Sequence, residues 1–414
     1  MPEQSIHTIE LSNGLTLLVE QMPHVQSAAF SLLTPAGTIY ENRGENGMAA
    51  VALDMMTRGA GERNSRQLSA ALDFLGVQGN DNVGWNFLSF SGATLAENLL
   101  DALPIYADLV QRPLLPEDQF PAVMNGAAQA LLSIEDEPQR KVFVELRKRC
   151  YDDPWGRSTD GSLEELEKLN YPSVVEYIKK TVRPNGSLIG VAGNVDAEEI
   201  RAQVEKHFGD WKVGEEPVIE RQACSGGVHH IPHESSQTHI GISYESIPYS
   251  SPDYLTAWTA VSILSGGSSS RLFTEVREKR GLCYSVYATL NSLLTEGRVL
   301  AYAGTTTERA QETLDVMLAE IRKLGEGIDD SELKRCKARA KSSLIMQQES
   351  TGARAGSIAR DWFHLKRVKT LDEIHDEVEA ITVDRILEYL NQHPLKNVTV
   401  LTIGAQPLEV NIEN

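Results

Sequence analysis

The chain has 414 residues, 41% of them apolar, and a formal net charge of −19 at pH 7. An apolar content near the average indicates a folded globular protein, and the length exceeds what one hydrophobic core normally organises, so we expect two or more domains. The negative charge repels phosphate backbones and no basic, aromatic-rich cluster offsets it, which argues against a nucleic-acid partner. Four scattered cysteines without CxxC spacing indicate neither a disulfide scaffold nor a cysteine zinc site.

The N-terminal residues have neither the basic region nor the apolar segment of a secretion signal. No later stretch approaches eighteen consecutive apolar residues, so no membrane span is expected. We therefore expect a cytoplasmic protein that does not associate with a membrane. A periplasmic location stays open if the natural chain is longer at its N-terminus than this sequence.

Strands precede helices in the first part of the chain. Apolar and polar residues alternate around Asn13-Gly14, the dipeptide that best suits a tight hairpin turn. Helical spacing of apolar residues begins at Met48 and again after Ser65, which is a suitable N-cap. Blocks of strands and helices favour an α+β fold over alternating βαβ units. The elements predicted after the hairpin are helices over 48–59 and 65–76, a strand over 85–91, and helices over 93–111 and 116–134.

The second half of the chain repeats the first. Ser91-Gly92-Ala93-Thr94 is similar to Ala303-Gly304-Thr305-Thr306, and Gly304 lies 212 positions after Gly92. Two further matches keep the same offset of 212: Val175-Glu176-Tyr177-Ile178 with Leu387-Glu388-Tyr389-Leu390, and Asn185 with Asn397. A constant offset indicates an internal duplication. We predict an N-terminal half over 1–213, a polar linker over 214–232, and a C-terminal half over 233–414.

One segment of the C-terminal half carries a recognisable pattern. From Ser268 to Tyr287 the chain reads SSSRLFTEVREKRGLCYSVY, which resembles the substrate-holding segment of the pitrilysin-like zinc peptidases, the inverzincins that include the mitochondrial processing peptidases. In active members an arginine and a tyrosine seven residues apart bind substrate carbonyl oxygens and the developing oxyanion. The resemblance implies this substrate-binding role for Arg277 and Tyr284, and a fixed cation beside a phenol donor suits it chemically.

A simpler interpretation of the two residues exists. From spacing alone, Arg277 would form a surface ion pair and Tyr284 would lie in the core. The match of the whole segment, rather than of a bare pair, favours the functional interpretation.

The zinc helix that should accompany this segment has lost its ligands. The family motif H-x-x-E-H places two zinc-binding histidines and a general base on one face of a helix. Residues 47–49 and 54–59 resemble those that flank the motif in the family. The motif positions themselves carry Ala50 and Asp54 in place of the histidines and Leu53 in place of the base.

The third zinc ligand of the family is a glutamate on a later helix, shortly before an acidic segment that ends in proline. Here that segment resembles 134–138, which places Gln129 and Ala130 where the paired glutamates belong. One carboxylate, Asp54, cannot supply the three protein ligands of a catalytic zinc. We therefore predict no metal and no catalytic residue in this chain's own zinc site.

Two other motifs have ordinary explanations. The glycine–serine stretch Gly266–Ser270 lacks the G-x-x-x-x-G-K-[ST] frame of a phosphate-binding loop, so we expect a tight turn. His229, His230, His233 and His239 lack convergent metal-ligand spacing, and we expect them at the surface.

The sequence thus predicts an α+β protein with two homologous halves, each a largely antiparallel β-sheet covered by helices, which form a clamshell with a central chamber. The resemblance implies the non-zinc subunit of a heteromeric peptidase, inactive alone, that supplies Arg277 and Tyr284 to a peptide at the zinc of a homologous partner with the HxxEH motif. No cofactor is expected in this chain, and zinc is expected in the partner. Two alternatives remain: an inert structural relative, similar to core subunits of respiratory complexes, and a peptide-binding, chaperone-like homodimer.

Overall fold

The computed structural model describes residues 4–411 and contains two β-sheets, each with helices packed on it. The six-stranded first sheet and a separate two-stranded ribbon lie within residues 5–193, and the five-stranded second sheet lies within residues 227–404. The strands are β1 (Ser5–Glu10), β2 (Thr16–Gln21), β3 (Ser27–Pro35), β4 (Gly59–Ala60), β5 (Arg63–Asn64), β6 (Gln78–Val83), β7 (Phe87–Leu95), β8 (Leu188–Gly193), β9 (Gly227–Pro232), β10 (Gln237–Ser246), β11 (Cys283–Ser292), β12 (Gly297–Thr306) and β13 (Thr399–Gly404).

Helices follow the strands in both halves, and one π-helix, Phe273–Glu278, precedes β11. The α-helices are α1 (Met48–Thr57), α2 (Ser65–Phe74), α3 (Leu99–Gln111), α4 (Phe120–Glu135), α5 (Pro138–Cys150), α6 (Leu163–Leu166), α7 (Tyr171–Thr181), α8 (Ala197–Phe208), α9 (Tyr254–Ser265), α10 (Ala310–Lys323), α11 (Asp330–Gln348), α12 (Thr351–Leu365), α13 (Leu371–Glu379) and α14 (Val383–Gln392). Among residues 4–411, no helix combines the length and the apolar character that a membrane span requires.

The two sheets share one topology. The strand order is β1-β2-β8-β3-β7-β6 in the first sheet and β9-β13-β10-β12-β11 in the second. The pairs β2·β8 and β9·β13 are parallel, and every other neighbouring pair within the two sheets is antiparallel. From β2 onward, the second sheet repeats the first strand for strand. The predicted α+β class with two homologous, largely antiparallel halves is confirmed.

The chain forms two compact units that exchange a helix. The first unit consists of the described parts of 1–133, 153–222 and 345–370, and the rest of the described chain forms the second. Within the second unit, α5 packs on β10 and β13; within the first unit, α12 packs on β3 and β8. Each half of the chain therefore contributes one helix to the sheet of the other. The predicted domain limits at 213 and 233 remain a prediction, because these units are not continuous stretches of chain.

A glycine permits each exchanged helix to approach its sheet. A Cβ on Gly190 of β8 would lie 2.2 Å from the carbonyl oxygen of Ala355 in α12. A Cβ on Gly241 of β10 would lie 2.6 Å from a methyl group of Val142 in α5. Such distances are far below van der Waals contact, so both positions require glycine for close packing.

Three predicted boundaries differ from the structure. Strand β7 continues to Leu95 with alternating burial, so the helix predicted over 93–111 begins only at Leu99. Helix α2 is capped by Asn64 rather than Ser65, because the Asn64 side chain accepts a hydrogen bond from the Gln67 amide in a reciprocal capping box. The last six residues of the predicted linker, Gly227–Pro232, form β9.

Candidate functional site

Arg277 and Tyr284 are in direct contact. The π-helix Phe273–Glu278 carries Arg277 in its last turn, and Tyr284 lies at the start of β11. The guanidinium carbon of Arg277 is 4.7 Å from the ring centroid of Tyr284 and 4.7 Å from that of Phe273. Both distances are within the range of cation–π contacts, so two aromatic rings hold the guanidinium in place.

A β-bulge presents Tyr284 to solvent. The pairing of β11 with β12 passes from Cys283 directly to Ser285, which leaves Tyr284 out of the ladder. Bulges re-aim side chains in this way, and Tyr284 is 83% exposed. Tyr284 therefore does not lie in the core, where its spacing alone would have placed it. Within residues 4–411, Arg277 forms no ion pair either, so the simpler interpretation fails for both residues.

The segment from Arg271 to Gly281, which carries Arg277, is anchored at both ends. At its start, Arg271 makes a two-point ion pair with Glu332, with N–O distances of 2.8 and 2.7 Å. At its end, Gly281 adopts a positive φ of 60° that reverses the chain toward β11, and the next residue, Leu282, is buried. The spatial relation of Arg277 to Tyr284 is therefore fixed by the local structure.

Helix α1, the counterpart of the family's zinc helix, has no ligand set. Asp54 forms an ion pair with Arg58 one turn later, at 2.9 Å, and Leu53 is buried. Gln129 and Ala130 lie exposed on α4. Within residues 4–411, no group of three or more His, Cys, Asp or Glu side chains converges as metal ligands would. These residues do not fit a catalytic zinc, and no zinc-dependent step is assigned to them.

Glu41 supports the start of α1 from outside the helix. Its buried carboxylate accepts hydrogen bonds from the amides of Gly47, at 3.1 Å, and Ala49, at 2.9 Å. The Asn46 side-chain amide donates to the other oxygen at 2.7 Å. Burial raises the pKa of Glu41 to about 7, although these hydrogen bonds and nearby Arg157 oppose the rise.

The other motifs of the sequence take ordinary structural roles, with one correction. The glycine–serine stretch forms the expected turn, in which the Ser270 amide donates to the Gly267 carbonyl at 3.0 Å. The prediction of a surface position is wrong for His239, which is 5% exposed on β10. Its Nδ1 lies 2.8 Å from the Tyr302 hydroxyl. That long-range contact compensates for burying a polar ring, and the local sequence does not show it.

Comparison with known proteins identifies the family. The model of the insulinase domain of peptidase family M16 matches residues 16–161, and the model of the peptidase M16 inactive domain matches residues 168–340. This chain belongs to the M16 peptidase family, as the resemblance to pitrilysin-like peptidases predicted.

Individual relatives cover nearly the whole chain. A protein of Rickettsia felis named as an uncharacterised zinc protease is 28% identical over 409 residues, which are 98% of this chain and 99% of that protein. The crystal structure of a peptidase M16 inactive domain from Pseudomonas fluorescens has a TM-score of 0.89 at 20% identity, covering 99% of this chain and 100% of that one. A chain of Complex III2 from Candida albicans has a TM-score of 0.82 at 19% identity, covering 97% and 96%. At these identities the solved structures show that the fold is shared.

Proposed function

We propose that this chain is the non-zinc subunit of a two-subunit M16 peptidase. Arg277 and Tyr284 bind a carbonyl oxygen of the peptide and donate hydrogen bonds as negative charge develops on it. A homologous partner chain with an intact H-x-x-E-H helix supplies the zinc and the general base. The observation that carries this proposal is a contrast within one chain: α1 has no ligand set, whereas the arginine and tyrosine pair is assembled and accessible.

The pair has the properties that oxyanion stabilisation requires. A guanidinium presents a planar set of donors that suits a carbonyl oxygen. The contacts of Arg277 with Tyr284 and Phe273 fix its orientation before a ligand arrives. Donors that are already oriented stabilise a transition state without reorganisation, which makes them effective catalytic groups.

The alternative of an inert structural subunit accounts for the lost zinc ligands. It gives no reason for the bulge that exposes Tyr284, nor for the two aromatic contacts of Arg277. A large exposed aromatic side chain beside an unpaired cation is more typical of a binding site than of a scaffold. We therefore favour the substrate-binding role.

The test is peptide turnover by the complex of this chain with its zinc subunit, obtained by co-purification from the native source. Tyr284→Phe removes one hydroxyl donor and should lower turnover about a hundred- to a thousandfold, roughly 3 to 4 kcal/mol of transition-state stabilisation. Arg277→Lys should not restore full activity, because an ammonium lacks the planar fork of donors.

Tyr40 provides a matched control, because the guanidinium of Arg183 lies 5.4 Å from its ring centroid in the first unit. Tyr40→Phe is the same chemical change in another arginine-stacked tyrosine, and turnover should stay at the wild-type level. Since Tyr284 is 83% exposed, Tyr284→Phe should leave thermal stability and complex formation unchanged. Wild-type turnover from an assembled Tyr284→Phe complex would refute the proposed function.

A further inference from the structure

A pocket in the second unit is lined by Tyr287 and Thr289, further along β11 than Tyr284, and shares no residue with the arginine and tyrosine pair. It has a volume of about 820 Å³ and opens between the N-terminal part of α5 and the face of the sheet that α5 covers. Its lining includes Phe143 from α5, Tyr287 from β11, and Tyr302 from β12. We propose that this pocket binds an aromatic side chain of the peptide ligand.

Three aromatic rings form one wall of the pocket. Phe143 is stacked on Tyr287, with ring centroids 5.8 Å apart, and lies 5.9 Å from Tyr302. Tyr287 and Tyr302 are 5.6 Å apart. Aromatic rings favour neighbours at these separations, in offset or edge-on arrangements. A ring supplied by a ligand would extend this cluster.

The polar groups of this wall already have partners. The Tyr302 hydroxyl lies 2.8 Å from Nδ1 of His239, and the Tyr287 hydroxyl accepts a hydrogen bond from Gln139 at 2.7 Å. Burial lowers the pKa of His239, and nearby His233 lowers it further, so the imidazole is neutral at pH 7. A polar ligand group would have to displace these hydrogen bonds, whereas an apolar ring leaves them intact.

The charges that line the pocket discriminate among ligand side chains. Arg147 lies in its wall and Arg140 at its exposed edge, which disfavours a lysine or arginine of the peptide. Glu137 also lines the pocket and offsets part of this positive charge, which weakens the attraction for an acidic side chain. A guanidinium of the pocket would attract the face of an aromatic side chain, and binding such an uncharged side chain requires no desolvation of a charged ligand group. An aromatic residue therefore fits this set of charges best.

The position of the pocket suits the ligand of the proposed function. Tyr284 and Tyr287 lie on the same strand, about 10 Å apart at roughly 3.3 Å per residue. β11 is an edge strand of the second sheet, so within residues 4–411 its outer edge is not paired with another strand. An extended peptide held at a carbonyl by Arg277 and Tyr284 would bring a side chain about three residues away to the pocket. The inference rests on the proposed function in taking the ligand to be a peptide.

The experiment measures peptide binding by the isolated full-length chain, without a zinc subunit. Fluorescein-labelled decapeptides of alanine, serine and glycine carry phenylalanine, glutamate or lysine at one scanned position, and fluorescence anisotropy reports their affinity. At the best position, phenylalanine should bind about ten- to a hundredfold more tightly than alanine, as burial of a full ring predicts.

A substitution at Thr289 can block the pocket without removing any of its three aromatic rings. This exposed β11 residue lines the pocket, and Thr289→Trp would fill it. The preference for phenylalanine should fall to less than about threefold, while the circular dichroism spectrum stays unchanged. Thr8→Trp, at an exposed position on β1 of the first unit, is the matched control and should keep the preference.

Each outcome decides the matter. A preference for phenylalanine that survives Thr289→Trp would overturn the proposal, as would tighter binding of the glutamate or lysine peptides or no binding of any peptide. If Tyr284→Phe abolishes turnover of the complex but the isolated chain shows no aromatic preference, only the pocket is refuted. If the preference is present and depends on Thr289 but Tyr284→Phe has full turnover, the pocket stands and the proposed function fails.

Discussion

Helix α12, which the second half of the chain contributes to the first unit, is held in place by a buried ion pair. Arg354 of α12 donates from Nε to Glu20 of β2 at 2.7 Å, and their side chains are only 1% and 5% exposed. The other carboxylate oxygen of Glu20 accepts from the Gln4 amide at 2.6 Å. Arg354→Met keeps most of the side-chain volume but removes the cation, which leaves the Glu20 carboxylate buried beside an apolar group.

The burial of the pair sets the expected cost. Removing one partner of a buried ion pair typically costs about 3 to 5 kcal/mol, because the remaining charge is uncompensated. For a unit of this size, each kcal/mol shifts the melting temperature by about 2 to 4 °C, so we expect a decrease of about 6 to 20 °C. The double variant Glu20→Leu, Arg354→Met replaces both charges with apolar groups and should recover most of the loss.

Urea unfolding followed by near-UV circular dichroism measures the free energy of unfolding. Hydrogen exchange of the amides of β3 and β8, on which α12 packs, should report the same loss locally. Arg201→Met in α8 breaks an exposed ion pair with Glu205 and serves as the control, with the unfolding midpoint nearly unchanged. A loss below about 1 kcal/mol for Arg354→Met, the range of exposed pairs, would refute the reasoning.

Two further predictions concern helix α1. Burial raises the pKa of Glu41 from 4.5 to about 7, so the folded protein binds more protons than the unfolded chain between these values. The contribution of Glu41 to the free energy of unfolding should be fully present below about pH 4.5 and decrease by up to about 3 kcal/mol as the pH rises through 7. In a pH series of urea unfolding, Glu41→Gln should abolish this dependence on pH. If the variant keeps the dependence, the assignment to Glu41 is wrong. Because Asp54 is paired with Arg58, the isolated chain should contain no stoichiometric zinc by metal analysis and cleave no peptide. One tightly bound zinc per chain, or chelator-sensitive cleavage without a partner, would disprove that prediction.

The duplication was predictable from the sequence, but the helix exchange was not. A constant offset of 212 reveals two copies of one fold, and the copies of β7 and β8 are β12 and β13. The apolar faces of α5 and α12 indicate burial against a sheet. They do not say which sheet, because either copy offers a similar apolar face. The choice is made by tertiary contacts such as that of Gly190 with Ala355, which no local pattern contains.

The candidate pair was proposed from the sequence, and the structure shows how its two side chains are arranged. Motif context pointed to Arg277 and Tyr284, but a β-bulge has no spacing signature, so the exposure of Tyr284 could not be derived. Phe273 did carry a signal, since it precedes Arg277 by four residues, a spacing that brings side chains together on a helix. His239 was predicted at the surface because the spacing of the four histidines does not converge on a metal, and its partner Tyr302 lies 63 residues away.

Helix α1 is well packed although it carries no set of metal ligands, so its folding does not depend on a metal. The helix is held by buried residues such as Met48, Val51 and Met55 and by the hydrogen bonds of Glu41, none of which is at a zinc-ligand position. Leu53, at the position of the base, is itself buried, so the residue now at that position is compatible with the core of the first unit. The opposite holds in the second unit, where exposure of a large aromatic side chain brings no stability from burial. The proposed binding role would account for the exposure of Tyr284 in the second unit.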